Sequence, residues 1–234
     1  MRDYLLDFVP DFRLDPRRTA LLVIDMQYAS GSRTHGLGRL LEEADRAEDG
    51  RQRFDRIERV VVPGIQRLLA AFRRAGARIV YLTVGSELPD YADLPPHMRG
   101  FARAIGNTRG NREHDILDEL APESGELVLN KTTTGAFTSS PLDAALRTFG
   151  VEDLVITGIS TNSCVETTAR DAADRGYRCV LVDDACGAAR PELHEATLVS
   201  FRRLFGRVAS VEDVLIEMGD QLEPVAATVA ARRA

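Results

Sequence analysis

Three side chains of complementary chemistry stand in separate stretches of the chain. They are an acid, Asp25, in LLVIDMQ; an amine, Lys131, in LNKTTTGAF; and a thiol, Cys164, in TGISTNSCVE. A free thiol titrates near ~8.5 and is a weak nucleophile until it loses its proton. A helix N-terminus and a nearby cation both favour the thiolate, so Cys164 is expected to ionise more readily than a free cysteine. Lysine can supply that cation and share a proton, because its pKa moves on burial; arginine stays charged and cannot. Lys131 is the one lysine among 30 Lys plus Arg. A carboxylate at Asp25 can take the thiol proton and return it to a leaving group. The turn from Gly158 to Cys164 would direct backbone N–H groups at a developing oxyanion.

For these residues to act together, the fold must bring them to one place. Apolar runs fit buried parallel strands at Ala20–Ile24, Arg78–Val84, Glu126–Leu129, Asp153–Thr157 and Arg178–Val182, with a weaker one at Arg207–Ser210. Amphipathic helical patterns lie between them, at Ile57–Ala75, Pro141–Phe149, Cys164–Arg175, Pro191–Leu204 and Val211–Met218. The alternation predicts a three-layer Rossmann-like α/β fold, a mostly parallel six-stranded sheet with helices on both faces. Ligands of such sheets bind beyond the carboxyl ends of the strands, where Asp25, Lys131 and the Cys164 helix start are expected. Singly, Asp25 reads as a cap or an arginine partner, Cys164 as a small core residue and Lys131 as a codon accident. Converging on one sheet edge, they read as a site.

Composition narrows the classes. The length suits a single domain over residues 1–234, with a core from about 19 to 218 and a frayed tail after about 224. A net charge of −6, with arginines interspersed among acids as in RFDRIERV, argues against a nucleic-acid surface and makes those arginines a solvated face. No apolar run approaches the ~18 residues of a membrane span. Acids interrupt the N-terminal MRDYLLDFVPDFRLD, so it does not read as a signal peptide, and a cytoplasmic location is the default expectation. The three cysteines lack CxxC spacing and His35, His97, His114 and His194 lack ligand spacing, so neither a metal nor another cofactor is expected. Cys179 reads as core, Cys186 as packing at a pocket edge, and Asp183 and Asp184 as structural hydrogen-bonding groups. Two long segments, 28–52 and 85–112, break the strand–helix rhythm. The second reads as a substrate lid or an oligomer contact.

The stretches VIDMQ, NKTTTGAF and TGISTNSCVETTARDAADRGY resemble the isochorismatase-like cysteine hydrolases, a group with nicotinamidases and with ureidoacrylate, biuret and N-carbamoylsarcosine amidohydrolases. The resemblance runs from about Thr19 to Met218. It implies an Asp25–Lys131–Cys164 triad, a cis peptide between Ile159 and Ser160, an oxyanion hole from the N–H groups of Ser160 and Cys164, and a loop-holding role for Gln27. Nicotinamide-hydrolysing members carry an acid and several histidines after the second strand. VGSELPDYADL has no histidine, which argues against that substrate and that metal. Tyr28 and Ala29 replace an Asn-Asp pair frequent in the family.

The expectation is a cysteine-dependent hydrolase of a C–N bond in a small amide or ureide, most like the biuret, ureidoacrylate and N-carbamoylsarcosine group. Gln27, Tyr28, Glu87, Thr132, Phe137, Thr161 and Asn162 are the expected pocket lining, and a homo-oligomer (dimer or tetramer) is implied. Two rivals remain: an enol-ether hydrolase with Cys164 as bystander, and a catalytically silent binding subunit.

Overall fold

Strand β1 (Thr19–Ile24, TALLVI) is buried along its whole length. It runs at the centre of the sheet, between β2 (Arg78–Val84) and β4 (Asp153–Ile159), and is parallel to both. β3 (Leu127–Lys131) lies outside β2, while β5 (Arg178–Gly187) and β6 (Gly206–Ala209) extend the other side. The order is β3-β2-β1-β4-β5-β6, with every pairing parallel. The chain direction across the sheet reverses between β1 and β4, and that switch point opens a crevice at the carboxyl ends. The computed structural model describes residues 4–8 and 11–220, so the expected tail after 224 lies outside the described residues.

Period-two alternation divides the strand side chains between two cores. Leu21, Val23, Ile79, Tyr81, Val155, Val180 and Val182 face one layer. That layer holds α3 (Ala47–Arg56), a π-helical turn (Ile57–Val61), α4 (Val62–Ala75) and α10 (Val211–Asp220). Ala20, Leu22, Ile24, Val80, Leu82, Leu154, Ile156 and Leu181 face the other layer. There they meet α7 (Leu142–Thr148), α8 (Glu166–Asp174) and α9 (Pro191–Arg202). The apolar positions 57, 61, 65, 68, 69 and 72 are all buried, as the helical spacing predicts.

The observed strands run further than the apolar runs suggest. β3 ends on Lys131, β4 continues through Gly158 to Ile159, and β5 reaches Gly187 after a register shift opposite Ile156 and Gly158. Segment 28–52 folds into α1 (Tyr28–Gly31), α2 (Gly36–Glu43) and the start of α3. Segment 85–112 contributes α5 (Pro96–Ala104). No helix among the described residues is long and apolar enough to cross a membrane.

Gly158 shows how closely β1 and β4 approach at the switch point. Its φ is +116°, and a Cβ there would lie 2.0 Å from the Ile24 carbonyl oxygen. Gly158→Ala is expected to cost at least about 3 kcal/mol, because both the backbone conformation and the contact forbid a methyl group. Urea unfolding monitored by circular dichroism checks this; a loss under about 1 kcal/mol contradicts the packing described.

Candidate active site

Asp25 is the first residue beyond β1 and adopts φ +54°. Asp and Asn tolerate this left-handed conformation better than most residues. The turn it makes is anchored by its N–H, which donates to Leu82 O at 2.8 Å. Gln27, fully buried, fixes the next step: its Oε1 accepts from Val84 N at 2.9 Å and its Nε2 donates to His114 O at 2.7 Å. Gln27 thus holds the loop, as the resemblance implies, and does not face the cavity.

Lys131 ends β3, with β2 between it and β1. Two strand spacings are roughly 10 Å, which the lysine stem and the aspartate span together. Its Nζ donates to Asp25 Oδ2 at 3.0 Å and to Thr133 O at 3.2 Å. Both side chains are essentially without solvent contact, at 0% and 3% exposure. The TTTG turn that presents Thr133 O is tied by Ser139 Oγ, which accepts from the N–H groups of Thr132 and Thr133. Ala136 N then donates to Thr168 Oγ1, fastening this turn to α8.

Cys164 lies in a π-helical turn (Thr161–Val165) that leads into α8. π-Turns within helices frequently mark functional sites. The Ile159–Ser160 peptide just before it is cis. The thiol is partly buried and coupled to both Asp25 and Lys131. Asp25 Oδ1, by contrast, is buried with no hydrogen-bond partner among the described residues. An orphaned carboxylate oxygen in a buried site is costly.

The electrostatics overturn one expectation. Burial, reinforced by the charge of Asp25, pushes the Cys164 thiol up to about 12; Lys131 opposes this but does not win. The helix start and the nearby cation therefore do not outweigh burial at the thiol. Burial also lifts the Asp25 carboxyl above its ordinary range, against the pull of Lys131. Burial disfavours charge on Lys131, but Asp25 and Cys164 outweigh it and hold the ammonium protonated. Burial thus opposes charge on both Asp25 and Cys164, and Lys131 opposes burial at each.

These groups border a cavity of about 420 Å³. Asp25, Ser160 and Cys164 line it, with Ile159, Ser163, Thr134, Ser30, Arg53 and Asn107. From α5 and its flanks come Leu94, His97, Met98, Phe101, Ala102 and Ile105. Segment 85–112 is therefore a wall of this cavity within the same chain.

None of the seven expected lining residues reaches the cavity. Tyr28 stacks under Arg112, whose guanidinium lies 4.0 Å from the ring centroid. Glu87 is taken by Asn130 Nδ2 at 2.7 Å and by Arg109 at 2.9 Å. Thr132 belongs to the Ser139-tied turn, and Phe137 is buried against Tyr177 in the α7–α9 core. Thr161 Oγ1 pairs with His194 Nδ1 at 2.8 Å, while Asn162 is exposed and Gln27 lies behind the site. The neighbours Thr134 and Ser163 face inward instead.

Arg53 and Asn107 were not legible as site residues, and Arg53 corrects the expectation of a solvated RFDRIER face. It is 8% exposed, and its neighbour Arg56 is turned inward too, onto the carbonyls of Asp183 and Cys186. Asp183 and Asp184 have structural partners, His194 Nε2 and Val211 N respectively. Cys179 and Cys186 are fully buried. No group of three or more His, Cys, Asp or Glu among the described residues is arranged to hold a metal ion.

A family model, Isochorismatase domain, matches residues 19–213. The chain belongs to that family. It is 32% identical over 228 residues to the ureidoacrylate amidohydrolase RutB of Pantoea ananatis, covering 91% of this chain and 86% of that protein. Among solved structures it resembles a cysteine hydrolase from Pseudomonas syringae (TM-score 0.76, 24% identity, 91% of this chain and 98% of that one). It also resembles N-carbamoylsarcosine amidase from Thermoplasma acidophilum (TM-score 0.62, 26% identity, 83% of this chain and 96% of that one). The first of these likenesses concerns the fold alone.

The charge balance around the thiol yields a test. Asp25 raises the Cys164 pKa and Lys131 lowers it, so Asp25→Asn removes the opposing charge and leaves the cation. Alkylation of Cys164 by iodoacetamide at pH 7 is expected to be faster in Asp25→Asn than in the parent. Mass spectrometry of the labelled peptide follows it. Slower labelling in the variant would mean that Asp25 already ionises the thiol at rest.

Proposed function

We propose that the chain is a cysteine-dependent hydrolase of a C–N bond in a small amide or ureide, working through an acyl-thioester on Cys164. The hydrolase class rests on the isochorismatase family and on likeness to ureidoacrylate amidohydrolases. The observation that supports the mechanism is the buried Asp25–Lys131 pair, which interacts with the thiol of Cys164 on the wall of a largely apolar cavity.

In this reading Cys164 Sγ attacks the substrate carbonyl carbon as its proton passes to Asp25 Oδ1. Lys131 grips Oδ2, orients the carboxylate and offsets the negative charge that remains on the site. The carbonyl oxygen becomes an oxyanion, met by the backbone N–H groups of Ser160 and Cys164. One such donor is worth about 3 kcal/mol of the barrier. Collapse breaks the C–N bond, and Asp25 returns its proton to the leaving ammonia or amine. Water, deprotonated by Asp25, then cleaves the thioester and restores the thiol.

Arginine cannot replace Lys131 here, because its wide planar fork does not fit a point donor held between Oδ2 and Thr133 O. Lys131→Arg should leave the circular dichroism spectrum intact yet reduce kcat for ammonia release at least about 100-fold. Cys164→Ala should reduce ammonia release from a panel of amides and ureides at least about 1000-fold. Normal ammonia release in that variant would remove Cys164 from the mechanism; ether hydrolysis that survives Cys164→Ala would point to the enol-ether rival, in which the thiol is a bystander.

The pH dependence has a defined sign. Asp25 must be a carboxylate to act as base, and burial raises its pKa. Activity is therefore present above that raised value and lost as pH falls through it. The acid limb of kcat/KM should lie above the ~3.9 of an ordinary aspartate. A profile flat down to that value would remove Asp25 from the role of base.

A further inference from the structure

The turn that carries Cys164 is tied down by side chains from both layers of the sheet. From α3, Arg53 Nη1 donates to Ser160 Oγ at 2.9 Å. From α9, His194 Nδ1 meets Thr161 Oγ1 at 2.8 Å. One turn further along α9, Thr197 Oγ1 donates to Glu166 Oε2 at 2.9 Å. Thr161 opens the π-helical turn, and Glu166 is the first residue after it. Helix α9 therefore grips the π-turn at both ends, through buried groups: His194, Thr197 and Thr161 have almost no solvent contact.

His194 is itself held. Its Nε2 lies 2.8 Å from Asp183 Oδ1 and 2.9 Å from Arg56 Nη2. Arg56 is fixed in turn on the carbonyls of Asp183 and Cys186, at the end of β5. An acid and an arginine both face Nε2, so one of them serves it in either tautomer. Nδ1 is left for Thr161, whose hydroxyl can donate or accept. Glu166 is fixed likewise: Arg170 Nε and Nη2 donate to its Oε1 at 2.9 and 2.7 Å, which leaves Oε2 for Thr197.

The position of the thiol gives these ties a purpose. π-Turns are rare, and Asn162 inside this one has non-helical φ/ψ of −85° and 15°. The backbone alone does not pin its register. Ser160 O accepts from Ser163 N at 3.0 Å and from Val165 N at 3.3 Å, one carbonyl shared between two spacings. Successive residues of a helix are rotated by about 100°, so a slip of one residue would swing Cys164 off the cavity wall and away from Asp25.

We propose that His194 is a positioning residue: through Thr161 it locks the π-turn in the register that sets the Cys164 thiol beside Asp25 and aims the N–H groups of Ser160 and Cys164 at the oxyanion. The inference rests on Cys164 as the nucleophile of a C–N hydrolase. Two measurements keep the failure of one distinct from the failure of the other.

The first is steady-state ammonia release. Thr161→Val keeps the shape of the side chain and removes its hydroxyl. It is expected to lower kcat about 100-fold with KM changed less than about 2-fold, and Thr161→Ser should restore most of the loss. In His194→Asn the amide stands where Nδ1 stands and still reaches Thr161; in His194→Gln it stands where Nε2 stands and reaches only Asp183 and Arg56. His194→Asn should keep at least about 10-fold more kcat than His194→Gln. Normal kcat in Thr161→Val, a loss carried by KM, or equal kcat in the two His194 variants overturns the proposal. The second measurement needs no turnover. Hydrogen–deuterium exchange read by mass spectrometry should be faster across residues 158–166 in Thr161→Val than in the parent, and unchanged across β1. Exchange unaltered in that segment, or raised throughout the sheet, overturns the positioning role even where hydrolysis is intact. If the parent releases no ammonia from any amide or ureide, the hydrolase reading fails on its own, and the exchange result still decides whether His194 and Thr161 hold the turn.

Discussion

The ion pair between Lys131 and Asp25 is the interaction around which this structure is arranged. Neither side chain touches solvent, and removing either partner would strand a charge where water cannot reach it. The topology serves that contact. Asp25 leaves the central strand in a left-handed turn, Lys131 comes from two strands away, and β2 lies between them as a spacer. Gln27 and Thr133 satisfy the backbone on either side, one tying Asp25's loop to β2 and the other giving Nζ a second acceptor. With one ammonium proton on Asp25 and one on Thr133 O, a third remains for the thiol, with which Lys131 also interacts.

Desolvation, which makes the pair costly, also sets its chemistry. Burial raises both the Asp25 carboxyl and the Cys164 thiol. A high thiol pKa disfavours the thiolate, and a raised carboxyl pKa makes that carboxylate a stronger base than an ordinary aspartate. Disfavouring the thiolate slows oxidation and alkylation of the cysteine, both of which follow thiolate character.

Much of the architecture was legible because burial leaves a strong mark on sequence. β1 and β4, covered on both faces, read as unbroken apolar runs, and the helix after segment 28–52 kept its stripe at positions 57 to 72. The weaker run, at Arg207–Ser210, is β6, a four-residue edge strand in which Arg207 and Val208 are only half-buried. The acid, amine and thiol were legible by type and by position at strand ends. Side-chain direction in the turns was not. Thr132 and Thr134, or Asn162 and Ser163, differ by one or two positions, yet only the second of each pair faces the cavity. Arg53 was hidden for a different reason. In RFDRIER five of the seven residues are arginines or acids, the usual signature of a wet surface. Helical spacing carries Phe54, Ile57 and Val61 into the core and takes Arg53 in beside them.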